Sequence, residues 1–545
     1  AWAGALHQQV GTSLSDQVDA ACRRPRIRQG LLLLVAVSLV VLFADCFDTN
    51  EADKLPLALQ RLQPSWLPRD WYLNQAQPHQ WLFLDLAGGV LSQLGFVAGS
   101  LVIRLSGYAL WCWGVLVLAA ELGLGLPWLL AALALWLPRQ GMVAGEWMLG
   151  SAEPKTFAYA LVLLAFVSWR RGRSGLGGLQ AGLACSAHVL VGGYGAMTLA
   201  ALAALRRAGR CWRWWLAVPA GLAGAFALYA PVLGRVAELA APTPTHSPEL
   251  NPAWLYVLFR HPHHLVPSSW GSSWCWVVVV VLGWGCLGAW LARGADLRLL
   301  GDQLQACRDL WLWSALALVP FGIGVVWSLV DPQGLLIQLY PFRFADTLVP
   351  FSLVLLGARA LQAITHQQCS GIAPQNSLAM VGTALLLAMA AVLSSRGAVL
   401  RPWQAYALPA QKAALYEALK ISTPRGARVL TPPGGFSDLS LRTGRAQVVQ
   451  FRQVPGSMGL LGAWAQRLAD LAGGEHVLHD GPGGGVAERR LMQAYGQLQP
   501  QALATLARRY GVEAVVTREG QSGPPGWHRA SLRSPWWLWL PGSPT

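Results

Sequence analysis

The carboxylates best able to do acid–base chemistry lie directly after the first long apolar run. Asp48, Glu51 and Asp53 fall within six positions, where a membrane helix is expected to emerge into water. A carboxylate in or near a membrane is costly and is usually retained for a task. We therefore predict an active centre built around segment 48–56. The alternative is a solvated helix start, because Asp and Asn are favoured helix N-caps.

Other polar groups recur at the ends of later apolar segments. They are Glu146; Glu153 and Lys155; His188; Arg260, His261, His263 and His264; and Arg343. The predicted topology puts all of them on one face, so we expect them to converge at a single membrane–water boundary. That boundary suits a ligand with an apolar tail and an anionic head, and Arg with His indicates binding of an anion such as phosphate.

These groups also have structural alternatives. Glu153 and Lys155 stand two positions apart, so they do not face each other on a helix and could only anchor the interface. His188 could be a hydrogen-bonded packing residue, and Arg343 could anchor a lipid headgroup. The histidine run at 261–264, without placed carboxylates, is a weak metal signal, so the sequence leaves the metal ligands unknown.

Composition sets the class of protein. The 545 residues are 54% hydrophobic and only 12% charged, with a mean hydropathy of +0.39, whereas soluble domains carry roughly 25% charged residues. These values predict a mainly α, polytopic helical membrane protein. The net charge of +15 comes largely from Arg in short loops beside apolar runs. Such Arg clusters indicate topology signals and lipid contacts, and no nucleic-acid partner is predicted.

The apolar runs divide the chain into three predicted domains. They are a cytoplasmic N-terminal segment at 1–30, a transmembrane domain at 31–395 with outer loops 48–80 and 232–271, and an outer α/β domain at 396–545. In that last domain, strands are predicted at Arg428–Leu430, Gln447–Phe451 and Val512–Thr517, and helices at Ala405–Lys420, Leu460–Leu471 and Leu503–Tyr510. The chain is thus predicted to be integral to the inner (plasma) membrane, with its C-terminal domain in the periplasm.

The number of crossings depends on one weak segment. If 140–152 crosses, the runs give about 13 crossings, and the basic cluster at 170–173 falls on the cytoplasmic side. The run 175–205 lies between that cluster and a second one at 206–213. Both of its ends are therefore inside, which predicts a helical hairpin turning near 188–193, where Gly192 and Gly193 suit a turn.

Several short motifs in the chain suggest a resemblance to other membrane proteins. The motifs are Thr49-Asn50-Glu51, Pro68-Arg69-Asp70, Glu153-Pro154-Lys155-Thr156-Phe157-Ala158-Tyr159, Arg260-His261-Pro262-His263-His264, Tyr340-Pro341-Phe342-Arg343, Thr431-Pro432-Pro433 and Phe451-Arg452-Gln453-Val454-Pro455. With its acidic first outer loop and outer C-terminal domain, the chain resembles the GT-C class of membrane glycosyltransferases. It is similar in particular to an uncharacterised group of bacterial multi-spanning proteins common in cyanobacteria.

The resemblance implies an enzyme that takes a sugar from a polyprenyl-phosphate carrier at the outer face. Under it, Glu51 or Asp48 would act as general base or acceptor positioner, with a pKa set by partial desolvation and nearby Arg. The implied substrate-binding residues are Asp53, Glu153, Lys155, His188, Arg260, His261, His263, His264 and Arg343, four of which (Arg260, His263, His264 and Arg343) would bind the lipid phosphate. The chain lacks a clear DxD or WWD-type signature, so no cofactor is certain and a divalent metal is left open.

Two other functions stay open at this point. A transporter or flippase for a lipid-linked or anionic solute would need polar residues through the membrane midplane. A non-catalytic membrane subunit would bind a protein partner through its C-terminal domain. Candidate contacts for that partner, or for the membrane, are Trp536, Trp537, Trp539 and Leu540. Membrane lipids are expected partners in every case.

Overall fold

The computed structural model describes residues 27–75, 80–143, 145–206, 251–293, 301–368, 405–530, 532 and 534–542. The predicted spans near 214–231 and 377–395 lie outside these ranges, as do most of segment 1–30 and residues 232–250 of the second outer loop.

The first part of the chain is built from apolar helices. These are α1 Ile27–Val41, α2 Thr49–Leu62, α3 Trp81–Leu122, α4 Leu126–Trp136, α5 Pro154–Arg170, α6 Ser174–Ala187, α7 Val189–Leu205, α8 Ser273–Ala292, α9 Gly301–Val330 and α10 Arg343–Gln368. By length and composition, four described helices can cross a membrane: α3, α8, α9 and the Arg343–Thr365 part of α10. Helices α1, α4 and α7 are shorter and also apolar. The protein is therefore mainly helical, and its long apolar helices indicate a membrane protein.

The structure does not confirm 13 crossings. The predicted spans 81–103 and 107–122 belong to one element, α3, which is interrupted only at Gly95, where φ is +71°. The part of α3 before Gly95 packs on α2, and a side chain at Gly88 would collide with the Ala58 carbonyl. The predicted crossing at 140–152 is wrong for its described residues, because they contain no helix. Glycines at 141, 145 and 150 and the proline at 154 oppose one there.

The described residues of 138–153 instead form a loop held by side chains. Gln140 accepts hydrogen bonds from the backbone N–H groups of Met148 and Leu149 and donates to the Leu149 carbonyl at 2.7 Å. Asp346 of α10 accepts from Met142 N through its carbonyl and from Val143 N through its carboxylate. The loop therefore has a fixed shape and is tied to α10.

The predicted hairpin at 175–205 is confirmed. Helices α6 and α7 meet at His188, and a side chain at Gly192 would collide with the backbone of Cys185 across the turn. At the other end of the pair, Arg206 contacts Asp309 of α9 at 2.7 Å, and Arg170 at the end of α5 contacts the same carboxylate. Arg170 and Arg206, one residue from each basic cluster, thus lie at one end of the helices, which we call the Asp309 end.

The C-terminal residues form a small α/β unit, as predicted. Its helices are α11 Ala410–Ser422, α12 Leu461–Leu471, α13 Gly485–Gly496 and α14 Pro500–Tyr510, and its strands are β1 Arg428–Leu430, β2 Ala446–Gln447, β3 Ala514–Arg518, β4 Trp527–Arg529 and β5 Trp536–Pro541. The sheet order is β2-β1-β3-β5-β4, in which β1 pairs in parallel with β2 and β3 while β5 is antiparallel to β3 and β4. The Trp-rich segment considered as a partner contact is β5, an interior strand of this sheet.

This C-terminal domain docks on the end of the helices opposite Asp309. Arg69 forms an ion pair with Glu513, and Arg428 donates to the Arg69 carbonyl at 2.5 Å. The Gly484 N–H donates to the Phe259 carbonyl at 2.7 Å. Phe259 is also buried among the side chains of the C-terminal domain. We call this end of the molecule the cavity end, because a cavity lies there between the start of α2 and the loop 138–153.

Candidate functional site

A cavity of about 430 Å³ lies between the start of α2 and the loop 138–153. Its polar lining includes Asp45, Asp48, Arg139, Glu146 and Ser151. Most of its lining residues belong to the loop 138–153. The segment predicted to be a weak membrane span is therefore the main wall of the cavity.

Asp48 combines two roles at this cavity. It is the N-cap of α2, and its Oδ1 accepts hydrogen bonds from the Asn50 and Glu51 N–H groups at 3.0 Å. This agrees with the alternative interpretation of segment 48–56 as a helix start. It also lines the cavity. Asp45 and Phe47, just before it, have φ of +48° and +53°, a strained backbone that recurs at functional sites. Burial raises the pKa of Asp48, so its carboxylate is a better proton acceptor than an exposed one.

Glu51 does not face the cavity. Its side chain is fully buried, and its Oε1 accepts from Arg104 Nε at 2.5 Å and from Ala152 N at 2.6 Å. Its Oε2 accepts the Phe47 N–H at 2.8 Å. Because these contacts occupy both oxygens, Glu51 connects α2, α3 and the end of loop 138–153. This arrangement favours a structural role for Glu51 over the predicted role as base.

Glu153 lies beside Asp48 at the start of α5. Burial raises the pKa of Glu153 to about 7, with Lys155 opposing the shift and Asp48 adding to it. The Trp147 indole N–H donates to Glu153 at 2.5 Å, and Lys155 Nζ lies 3.6 Å from its other oxygen. Lys155 is also 3.6 Å above the Trp147 ring. Glu153 and Lys155 were not expected to face each other, but they do come together, because Glu153 is the N-cap of α5 and lies outside its helical turns.

Glu146 is the point where the predicted groups meet. Arg343 donates to its Oε1 through Nε at 2.8 Å and Nη2 at 2.6 Å, and Lys155 contacts its Oε2 at 3.2 Å. His264 Nδ1 lies 3.9 Å from Oε1. Burial alone would raise the pKa of Glu146, but Arg343 and Lys155 outweigh burial and hold it well below its usual range. The sequence signal for Glu146 is a carboxylate inside an apolar segment. Glu146 is not among the predicted substrate-binding residues.

His188 contacts this cluster through Arg343. His188 is buried and accepts the Val191 N–H as the cap of α7, and its Nε2 lies 3.3 Å from Arg343 Nη1. His188 is thus a packing and capping residue that also touches the ion-pair cluster. Tyr340, three residues before Arg343, has a φ of +57° and lies under the Arg343 guanidinium at 4.6 Å.

The histidines at 261, 263 and 264 follow a π-helical turn, Leu255–Arg260, a feature often found at functional sites. His261 contacts the Tyr256 carbonyl through Nδ1 at 2.9 Å, which favours a structural role. The rings of His263 and His264 lie 4.0 Å apart. Burial lowers the pKa of His263 to about 4 and that of His264 to about 3. Both imidazoles are therefore neutral at physiological pH, so they can donate hydrogen bonds but carry no charge for an anion.

Arg260 differs from the other basic residues of the site because no carboxylate lies within ion-pair distance of it among the described residues. It makes one long hydrogen bond, from Nη2 to the Arg452 carbonyl at 3.4 Å, and its buried Nε has no partner in the described structure. Asp53 contributes to its electrostatic surroundings but forms its own contacts with Lys54 and Tyr72. Burial lowers the pKa of Arg260. An unpaired guanidinium of this kind is costly without an anion.

The predicted residues are thus gathered at one end of the helices, in two connected parts. Asp48 and Glu146, which line the cavity, form a carboxylate side together with the neighbouring Glu153. Arg260 with the neutral His263 forms a cationic side, and His264 lies between the two sides. Sequence reasoning missed Arg104, Trp147 and Arg452. In the part of the chain that the structure describes, no group of three or more His, Cys, Asp or Glu side chains is placed to hold a metal ion.

Part of the C-terminal domain matches a known protein-family profile. A family profile described as a domain of unknown function (DUF6798) matches residues 411–471, which extend from α11 to the end of α12 in the C-terminal domain. No curated protein matches the chain in sequence.

Proposed function

We propose that the protein is a GT-C-type glycosyltransferase that takes a sugar from a polyprenyl-phosphate carrier at the outer face of the membrane. The observation that carries the proposal is the position of Asp48. Asp48 and Glu146 both line a cavity at the end of apolar helices. Glu146 lies 3.9 Å from His264, which belongs to the same short segment as His263 and Arg260. A donor with an apolar tail and a phosphate needs this combination of features at one boundary.

Asp48 is the proposed base. In the transfer, the acceptor hydroxyl oxygen would form a bond to the anomeric carbon while the bond from that carbon to the phosphate oxygen breaks. Asp48 would take the hydroxyl proton, and the polyprenyl phosphate would leave with the electron pair of the broken bond. Glu51 is the weaker candidate because Arg104 and two backbone N–H groups already occupy its oxygens. Its role is then to position the first turn of α2.

Glu153 is proposed to set the proton balance of the site. Two buried carboxyl groups that influence each other cannot both ionise easily, so one of them retains a proton to higher pH. With a pKa of about 7, Glu153 is the group that stays protonated while Asp48 is ionised. This division leaves Asp48 free to accept the proton of the acceptor.

The phosphate is proposed to lie on the cationic side. Arg343 and Lys155 both contact the Glu146 carboxylate, and the histidines are uncharged, so Arg260 supplies a charge that no carboxylate contacts while His263 and His264 supply hydrogen bonds. Charge-assisted hydrogen bonds of this type stabilise a phosphate leaving group as its charge develops. The expectation that Arg343 also binds the lipid phosphate is thereby revised.

The orientation in the membrane is part of the proposal. Uniting two predicted spans in α3 and removing the one at 140–152 lowers the predicted number of crossings by two. Because the number of crossings falls by two, the later segments stay on their predicted sides of the membrane. The Asp309 end therefore remains cytoplasmic and the C-terminal domain periplasmic. The Arg residues at the Asp309 end agree with the positive-inside rule.

The transporter alternative has less support. Between the two polar ends, the buried side chains of α3, α5 and α9 are large and apolar, including Trp111, Phe166 and Trp313. These side chains pack tightly; the Phe166 and Trp313 rings are stacked at 4.8 Å. A solute would have to displace this layer.

The test is sugar transfer by the purified full chain in lipid nanodiscs. Labelled polyprenyl-phosphate sugars are supplied with an acceptor-rich membrane extract, and release of polyprenyl phosphate is measured. Asp48→Asn is expected to lower release by at least about 100-fold, within the range of an acid–base contribution. Asp85→Asn is the matched control, because Asp85 is exposed on α3 and pairs with Arg61. Release by Asp48→Asn at the wild-type rate would overturn the proposal.

A further inference from the structure

Arg452 of the C-terminal domain lies beside the unpaired Arg260. The Arg452 carbonyl accepts the long hydrogen bond from Arg260, and the Arg260 guanidinium lies 5.2 Å from the ring of Phe451. The Arg452 side chain is 45% exposed and turns toward the helices. Two guanidinium groups from different domains therefore lie at the same junction.

The Arg452 side chain joins three parts of the molecule. Its Nε contacts both oxygens of Glu488 in α13, at 3.0 and 3.1 Å, and its Nη1 donates to Thr49 Oγ1 at 2.8 Å. Thr49 is the first residue of α2 and directly follows Asp48. The Nη2 group makes no hydrogen bond to a described residue and stays available for a ligand.

The charges at this junction do not balance. In the described structure Glu488 contacts only Arg452, and Asp53, the other carboxylate that acts on Arg260, is paired with Lys54. A partly buried pair of guanidinium groups with one counter-charge is stabilised by a further anion, and planar guanidinium groups suit the oxygens of a phosphate.

We propose that Arg452 completes a phosphate-binding site with Arg260, so that the C-terminal domain contributes directly to binding of the carrier lipid. This inference rests on the proposed function for the identity of the lipid. It assigns a role to the region matched by the family profile, which contains Arg452. Through Thr49, phosphate binding is also coupled to the turn that carries Asp48.

The experiment measures lipid binding rather than transfer. The full chain is placed in neutral nanodiscs that contain either polyprenyl phosphate or the uncharged polyprenol, and binding is followed by native mass spectrometry. Arg452→Ala is expected to weaken polyprenyl phosphate binding by at least about tenfold, the effect of one lost charge-assisted contact. Polyprenol binding is expected to stay unchanged, and inorganic phosphate is expected to compete only with the phosphorylated lipid.

Two further variants make the result specific. Arg489→Ala removes the same charge from an exposed position next to Glu488 and is expected to bind like wild type. Glu488→Gln removes the carboxylate that competes for Arg452 and is expected to tighten polyprenyl phosphate binding several-fold. A misfolded variant would not bind more tightly, so this gain separates the proposal from a simple loss of structure.

The outcomes distinguish this inference from the proposed function. If Arg452→Ala binds polyprenyl phosphate as wild type does, or if Glu488→Gln weakens its binding, the site is not where we place it. Loss of transfer in Asp48→Asn would still support the enzyme in that case. Conversely, a phosphate site that depends on Arg452 in a chain without transfer activity would support this inference and remove the proposed function.

Discussion

Arg104 Nε donates a hydrogen bond to Glu51 Oε1 at 2.5 Å, and both side chains are completely enclosed. The Arg104 guanidinium also donates to the carbonyls of Leu42, Ala44 and Asp45, at 2.8 to 3.1 Å. The pair therefore fixes the strained turn before Asp48 to the middle of α3. The local geometry of the cavity depends on it.

Glu51→Gln is expected to lower the free energy of unfolding by about 3–5 kcal/mol, because it leaves the buried Arg104 charge without a counter-charge. The measurement is the thermal unfolding midpoint in detergent, followed by Trp fluorescence. Asp85→Asn, which removes a carboxylate from a partly exposed ion pair, should change stability by at most about 1 kcal/mol. The double variant with Arg104→Gln should recover part of the loss. Wild-type stability of Glu51→Gln would contradict the structural role.

Stability is expected to fall between about pH 4.5 and pH 7 because of Glu153. Its folded-state pKa of about 7 exceeds its ordinary value, so the folded state retains a proton that the unfolded state releases. The stabilisation is fully present below the unfolded pKa and is lost as pH rises through the folded one, by on the order of 3 kcal/mol.

Unfolding midpoints recorded across this pH range test the Glu153 prediction. In Glu153→Gln the fall should be absent, since the amide does not titrate. Glu417→Gln, at an exposed position on α11, is the control and should keep the wild-type profile. An unchanged profile in Glu153→Gln would show that another group titrates.

Gly141→Ala is expected to distort the cavity wall. A Cβ at Gly141 would lie 2.8 Å from Asp346 Oδ2 and 2.9 Å from the Glu146 carbonyl, so the loop would have to move away from α10. Overpacking of this kind costs about 1–3 kcal/mol, and transfer should fall with it. In α7, Gly193→Ala meets nothing within 4 Å and should be neutral or slightly stabilising. Equal midpoints for the two variants would be evidence against a fixed loop.

Gly483→Ala is expected to loosen the C-terminal domain from the helices. A Cβ at Gly483 would lie 1.9 Å from the Leu258 carbonyl, so the two segments could not keep their present approach. Hydrogen exchange at the Gly484 N–H, which bonds to the Phe259 carbonyl, should become faster. Gly462→Ala has open space around the new methyl group and should leave this exchange unchanged. Slow exchange in Gly483→Ala would show that docking does not require this glycine.

Some features were predictable because their signals are local. Apolar length and the basic clusters around 170–173 and 206–213 sufficed for the hairpin that turns at His188, since charge and hydropathy act along the chain. The strand Arg428–Leu430 was predicted with its observed bounds, and most C-terminal helices within a few residues. By contrast, the prediction of a span at 140–152 is wrong for the described residues, because its three glycines and the hydrogen bonds of Gln140 favour a loop over a helix.

The sequence by itself determined the class of protein, the polar groups that matter and the end of the helices where they gather. Only the tertiary structure decided which carboxylate faces the cavity. Glu51 and Asp48 are three positions apart, yet Glu51 is buried against Arg104 while Asp48 lines the cavity. Glu146 pairs with Arg343, which is 197 positions away in the sequence. The physical reason is that hydropathy is a property of each residue in the sequence, whereas the partner of a buried charge depends on how distant helices pack together.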